Sequence, residues 1–197
     1  MTPIISNLWS MEMETDMKAN VIDEERIAQV VKELKTLLIE RGETLCTAES
    51  CTGGLIASSI VNEPGSSSIL QGGIVAYQNE VKQSLLSVST ETLGNFGAVS
   101  KETVEEMARG AITKFKCNWA VSTSGIAGPG GAEPGKPVGT VWMCITHKND
   151  NGSLQNTAFC KIFLGNRQKI RTQAVYTVLS KLIFLINKQK STCTTEH

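Results

Sequence analysis

The segment Thr47-Ala48-Glu49-Ser50-Cys51-Thr52-Gly53-Gly54 holds the residue types that acyl-transfer chemistry needs. Leu45 precedes it, and Leu55, Ile56 and Ile60 follow at helical spacing. The pattern reads as a strand running into a helix, with Ser50 at the junction. A hydroxyl there stands beside free main-chain N–H groups at the positive end of a helix dipole. A nucleophile and an oxyanion site can be built together at such a place. The hydroxyls of Ser50 and Thr52 suit a plain helix cap equally well. Cys51 adjoins Ser50 and is either a rival nucleophile or a packed thiol.

Three further segments carry groups that could complete a site. Tyr77-Gln78-Asn79-Glu80-Val81-Lys82 leaves the C-terminal end of a strand, where α/β domains place ligands. Lys82 falls near the third position of the next helix, where dipole and burial both disfavour an ammonium. A lysine tuned to roughly 7–8 acts as a general base, with Tyr77 as relay or hydrogen-bond donor. A solvated lysine and a packed tyrosine are the plain alternatives. The run Ser124-Gly125-Ile126-Ala127-Gly128-Pro129-Gly130-Gly131 lets main-chain N–H groups approach an anion or a ribose. It is not a P-loop, because Gly135-Lys136 is followed by Pro137, and no helix follows it as a dinucleotide fingerprint requires. It also serves as a simple connection between strands. Arg167, Lys169 and Arg171 put three cations in the first turn of a helix, against its dipole. Arg167 and Arg171 share a face. Either a phosphate binds there or the face is merely basic and solvated.

Histidine is nearly absent: His147 closes an apolar strand, where a solvated position is expected, and His197 ends the chain. A Ser-His-Asp triad and a histidine metal site are both disfavoured. Any hydrolytic base is therefore expected to be another group. The six cysteines form no CxxC pair, which points to free, mostly buried thiols in a reducing compartment.

The elements that must position these residues follow from periodicity. A helix is predicted over 22–41, capped by Asp23 and stopped by Gly42. Strands are predicted over 44–48, 69–77, 119–124, 138–146 and 154–164, the second weakened by Gly72-Gly73. Helices are predicted over 53–61, 79–86 (capped by Asn79), 100–116 (capped by Ser100) and 166–187. The polar turn 148–152 makes the last two strands a hairpin. The alternation predicts an α/β layered domain with a mixed, mostly parallel sheet.

The chain of 197 residues is read as one domain over 22–188, a mobile arm over 1–21 and a polar tail over 189–197. Acidic and basic residues balance at 19 each, which gives no pull toward nucleic acid or an anionic membrane. No apolar run is long enough to span a bilayer, and residues 1–20 lack a secretory pattern. A cytoplasmic protein is expected.

Six segments occur in one order: Ala48 to Gly54, Pro64-Gly65-Ser66-Ser67, Gly72 to Asn79, Gly97-Ala98-Val99-Ser100, Gly125 to Pro129, and Lys136 to Val141. Together they resemble the CinA C-terminal domain family, the nicotinamide-nucleotide amidohydrolases, from about 27 to 186. The chain resembles the stand-alone form of that family. The resemblance implies a three-layer α/β/α sandwich that self-associates. It implies deamidation of nicotinamide mononucleotide (NMN) to nicotinate mononucleotide and ammonia, without cofactor or metal. Mapped by motif, Ser50 is the nucleophile, Lys82 the base and Tyr77 the assisting hydroxyl. Main-chain N–H groups near Cys51 to Gly54, or near Gly72 and Gly73, would hold the oxyanion. Thr52, Gly53, Gly54, Ser124, Gly125 and Gly128 would line the nucleotide pocket, and Arg167 and Arg171 would meet the phosphate. Asn118 and Asn166 stand where the family often has Asp, and Gln78 where it often has Ser. A non-catalytic pyridine-nucleotide module, or an amidohydrolase for another amide, is the alternative.

Overall fold

A computed structural model describes residues 22–193; the expected arm and the last residues of the expected tail lie outside them. The chain opens with helix α1 (Glu24–Arg41). Asp23 caps it by accepting the Arg26 N–H at 3.0 Å. Gly42, at φ +62°, ends it in a left-handed conformation that glycine takes without strain. Strand β1 (Leu45–Glu49) and helix α2 (Leu55–Val61) follow, then a short 3₁₀ turn (Ser66–Ser68) and strand β2 (Leu70–Val75). Helices α3 (Asn79–Leu86), α4 (Thr90–Phe96) and α5 (Lys101–Phe115) come next, and then strands β3 (Trp119–Gly125), β4 (Thr140–Lys148) and β5 (Leu154–Ile162). Helix α6 (Arg167–Cys193) closes the described chain.

The strands form one sheet in the order β2-β1-β3-β4-β5. β2, β1 and β3 pair in parallel, while β4 runs against both of its neighbours. β4 is thus the one strand of the sheet pointing the other way, so the sheet is mixed as expected, although its four pairings divide equally between the two kinds. Alternation along the strands sends side chains to two separate cores. Leu45, Trp119, Val121, Val141, Met143 and Ile145 face α1, α2 and α6. Cys46, Ala48, Ala120 and Cys144 face α3 and α5. The result is helix–sheet–helix layering, with the parallel strands β1 and β3 buried on both sides.

Apart from shifts of about two residues at strand and helix ends and the 3₁₀ turn, three helices differ from the sequence reading. Helix α4 is additional. Asn79 is the first residue of α3 rather than its cap, and Gln78 takes the extended cap position. Lys82 is thereby the fourth helical residue, not the third. Helix α6 continues to Cys193, past the expected end at 187, while its start agrees with the cation-rich turn: Asn166 accepts the Lys169 N–H at 2.9 Å.

Candidate active site

Ser50 directly follows β1. Its N–H donates to the Thr123 carbonyl at 2.9 Å, extending the parallel ladder by one step. Its own carbonyl accepts the Gly53 N–H at 3.1 Å, which turns the chain toward α2. Gly53 at φ +61° and Gly54 at φ +90° complete the reversal, and a side chain at either would be strained. Ser50 is therefore held at a tight strand–turn–helix corner.

Glu49, one residue earlier, fixes that corner from behind. Its carboxylate is 1 % exposed and accepts two amides at the start of α2, from Ile56 at 3.0 Å and Ala57 at 2.9 Å. A carboxylate suits the positive end of a helix, and charge-assisted bonds are the strong kind. Thr52 is fully buried with its hydroxyl shared with that of Thr123 at 2.7 Å. Its carbonyl accepts Arg171 through Nε at 3.2 Å and Nη2 at 2.6 Å. Thr52 and Arg171 thus brace the corner and stand outside the cleft.

The second part of the site comes from the end of β2. The Ala76 N–H donates to the Glu49 carbonyl at 2.8 Å, so Tyr77 emerges beside Ser50. Lys82, on α3, reaches back and donates through Nζ to the Tyr77 main-chain carbonyl at 3.0 Å. It is 1 % exposed and forms no salt bridge among the described residues. Burial holds its pKa below the ordinary lysine value of 10.5. The Tyr77 ring is exposed, and its hydroxyl accepts Arg167 Nη2 at 3.2 Å. Arg167 Nη1 also donates to the Gly128 carbonyl at 2.9 Å, so Arg167 bridges the tyrosine and the glycine loop.

These groups meet in a cleft of about 190 Å³ that Ser50, Cys51, Tyr77, Lys82, Ser124 and Arg167 line. Gly125, Ala127, Asn79, Ala98 and Val99 complete the lining. Ser124 donates its hydroxyl to the Ala98 carbonyl at 2.7 Å and so ties the 97–100 segment to the end of β3. Cys51 is buried, and that burial pushes its thiol up to about 12. A thiol so far above neutrality gives little thiolate to attack with.

Gly72 and Gly73 lie elsewhere. They sit inside β2, paired with Cys46 and Thr47. A Cβ on Gly72 would come within 2.5 Å of the Phe115 ring, and one on Gly73 would strike the Thr47 hydroxyl. Their lack of side chains serves packing between β2, α5 and β1, not a ligand. The sequence reading also gave no place in the site to Glu49, Thr123, Asn79, Ala98 or Val99. Only Glu49 left a local sign, an acidic residue in an otherwise apolar strand beside the serine. Among the described residues no group of three or more His, Cys, Asp or Glu side chains gathers in a way that could hold a metal ion. No helix among them is long and apolar enough to cross a membrane.

A family model described as the CinA C-terminal domain matches residues 27–186. A CinA-like protein of Prochlorococcus marinus (strain NATL2A) is 51% identical over 131 residues, 66% of this chain and 30% of that protein. A CinA-like protein of Thermotoga neapolitana is 42% identical over 161 residues, 82% of this chain and 37% of that protein. The chain spans about a third of the length of these curated relatives. Among solved structures, the competence/damage inducible protein CihA of Agrobacterium tumefaciens superimposes with a TM-score of 0.75 at 40% identity, covering 82% of this chain and 96% of that one. A CinA-superfamily protein of Escherichia coli gives a TM-score of 0.76 at 33% identity, covering 81% and 90%. With the family model, sequence identity and fold in agreement, the chain belongs to the CinA C-terminal domain family.

Proposed function

We propose that the chain is an amidohydrolase that converts nicotinamide mononucleotide to nicotinate mononucleotide and ammonia with a serine nucleophile and a lysine base. The observation that carries this reading is Lys82: a buried amine with a lowered pKa and no salt bridge, lining the same cleft as Ser50. A neutral amine can take a proton, and a buried ammonium without a counter-ion has little structural use.

In this mechanism Lys82 Nζ accepts the Ser50 proton as Oγ attacks the carboxamide carbon. The oxyanion is held by main-chain amides of Cys51 to Gly54 other than that of Gly53, which already donates to the Ser50 carbonyl. The proton passes from Lys82 to the leaving nitrogen, and ammonia departs. Water then attacks the acyl-enzyme, gives its proton to Lys82, and releases the carboxylate as Ser50 is reprotonated.

Tyr77 accepts from Arg167 and keeps its own hydroxyl proton to donate into the cleft. Lys82 contacts its carbonyl rather than its hydroxyl, so the tyrosine acts as a donor to substrate and not as a relay. Arg167 stands exposed at the rim with two neutral acceptors, which leaves its charge for a phosphate. Arg171 is turned to the Thr52 carbonyl and acts by holding the corner.

Ammonia release from NMN tests the reading. Wild-type protein is expected to liberate ammonia and nicotinate mononucleotide. Ser50→Ala is expected to lose turnover while still binding NMN. Saturable NMN binding without ammonia would make the chain a binding module. Ammonia from another carboxamide alone would move the substrate assignment.

A further inference from the structure

A second cleft lies at the opposite end of the sheet. Ser124 and Gly125 end β3 at the catalytic cleft, whereas Trp119 begins β3 at this one. It encloses about 390 Å³, roughly twice the volume of the catalytic cleft, and so falls in the size range of small-molecule sites. The proposed chemistry uses none of its residues.

Its floor is aromatic and held in place. The ring of His147 stacks on the buried Trp119 ring, with centroids 4.1 Å apart. His147 Nδ1 lies 3.0 Å from Asn149 Oδ1 and 2.9 Å from Gln189 Nε2, which fixes the ring orientation. Burial holds this histidine below its ordinary pKa, so the floor is uncharged at neutral pH.

One wall is a stripe on α6. Lys181, Phe184 and Lys188 recur at helical spacing and share a face. Phe184 is 56% exposed, and the Lys181 ammonium sits 4.5 Å from its ring centroid. Gln155 and Thr157 of β5 also line the cleft. No carboxylate among the described residues lines the cleft, and Glu43, hydrogen-bonded to the Trp119 indole, is paired with Arg41. Two ammonium groups, an exposed ring and two primary amides match an anion with a flat apolar body. We propose that this cleft binds a small planar aromatic monoanion, a carboxylate or sulfonate. Its ring lies against Phe184, and its charge is held between Lys181 and Lys188.

Nuclear magnetic resonance titration with naphthalene-1-sulfonate tests this. The expected result is a saturable shift of the Trp119 indole N–H and the Gln155 and Gln189 side-chain amides. Uncharged 1-naphthalenemethanol is expected to bind more weakly. Reversing both charges (Lys181→Glu with Lys188→Glu) is expected to weaken the sulfonate about ten-fold or more, as loss of charge-assisted contacts predicts. Phe184→Ala is expected to weaken both compounds. Ser50→Ala is expected to keep wild-type affinity, which separates this site from the catalytic reading. Shifts confined to the Ser50–Tyr77 cleft, non-saturating shifts, equal binding of the neutral compound, or indifference to charge reversal would each overturn the proposal.

Discussion

Lys82 stands in a position that favours chemistry over stability. A buried ammonium without a counter-ion is disfavoured, and burial accordingly lowers the pKa of Lys82. In the unfolded chain the same lysine titrates near its ordinary value of 10.5. Between the depressed and the ordinary pKa the unfolded state binds more protons, so stability rises with pH across that window. Activity has the same sign, because a protonated Lys82 cannot accept the Ser50 proton. kcat/KM for NMN is expected to climb with pH through the depressed pKa and to level off below 10.5. Lys82→Met should abolish turnover, raise Tm at pH 7 by a few degrees, and remove the alkaline slope from a Tm-against-pH series. A lower Tm for Lys82→Met would mean that the ammonium is a structural asset, and the base would have to be sought elsewhere. Cys51, the neighbouring rival nucleophile, is disfavoured by the same burial, which keeps its thiol protonated.

At the scale of elements, catalytic geometry depends on how firmly two helices are seated. α2 is seated by Glu49. Gln at that position can accept one of the two amides but turns an NH₂ group toward the other. Glu49→Gln is therefore expected to cost about 1–3 kcal/mol in chemical denaturation. It should lower kcat more than it raises KM, since Ser50 is next in the chain. α3, which carries Lys82, is seated against α5 at Gly110, where an added Cβ would be driven into the Leu86 carbonyl oxygen. Helix propensity alone makes Gly→Ala favourable by about 1 kcal/mol. Overpacking costs typically about 1–3 kcal/mol and should prevail. Gly110→Ala is thus expected to lower Tm and to reduce kcat by displacing Lys82, and a stabilised Gly110→Ala would contradict the close seating of α3. The sequence disclosed the Ser50 corner and the Tyr77–Lys82 pair because both depend on local order: strand, turn, then helix. It did not disclose α4, which contains Gly94 and has little apolar periodicity. Its Ser89 cap is local, accepting the Thr92 N–H at 2.9 Å, but that cap is fixed from outside: Glu106 of α5 accepts the Ser89 N–H and the Thr92 hydroxyl, each at 2.8 Å. Nor could spacing tell that Gly72 and Gly73 answer to Phe115 and Thr47 rather than to a ligand. Glycine marks a close approach, but only the tertiary partner says of what.

For the whole molecule, the two ends of the sheet do different work. The C-terminal ends of β1, β2 and β3 gather the proposed nucleophile and base, while the other end joins distant parts of the chain through one polar network. There Glu43 accepts the Trp119 indole N–H at 2.7 Å and pairs with Arg41 at 2.9 Å. Arg41 reaches Gln189 of α6 at 3.0 Å, and Gln189 meets His147 of β4. The end of α1, the starts of β1 and β3, the end of β4 and the C-terminal part of α6 are thereby linked, so protonation at His147 bears on global stability. Burial lowers its pKa and outweighs the Asn149 hydrogen bond and the charges of Glu43 and Asp150, which favour the charged form, while Arg41 opposes it. A depressed folded pKa means that stability is intact above the unfolded value of about 6.5. It is lost as pH falls from there through the folded value. Glu43, also lowered, acts only around and below its ordinary 4.5, outside that window. His197 is the other histidine of the chain and lies outside the described residues. Denaturation midpoints of wild type are therefore expected to fall between pH 7 and pH 5, and those of His147→Phe to fall distinctly less. The aromatic replacement keeps a ring against Trp119 and removes the titration, so equal slopes for the two proteins would show that His147 is not the group that couples pH to the fold.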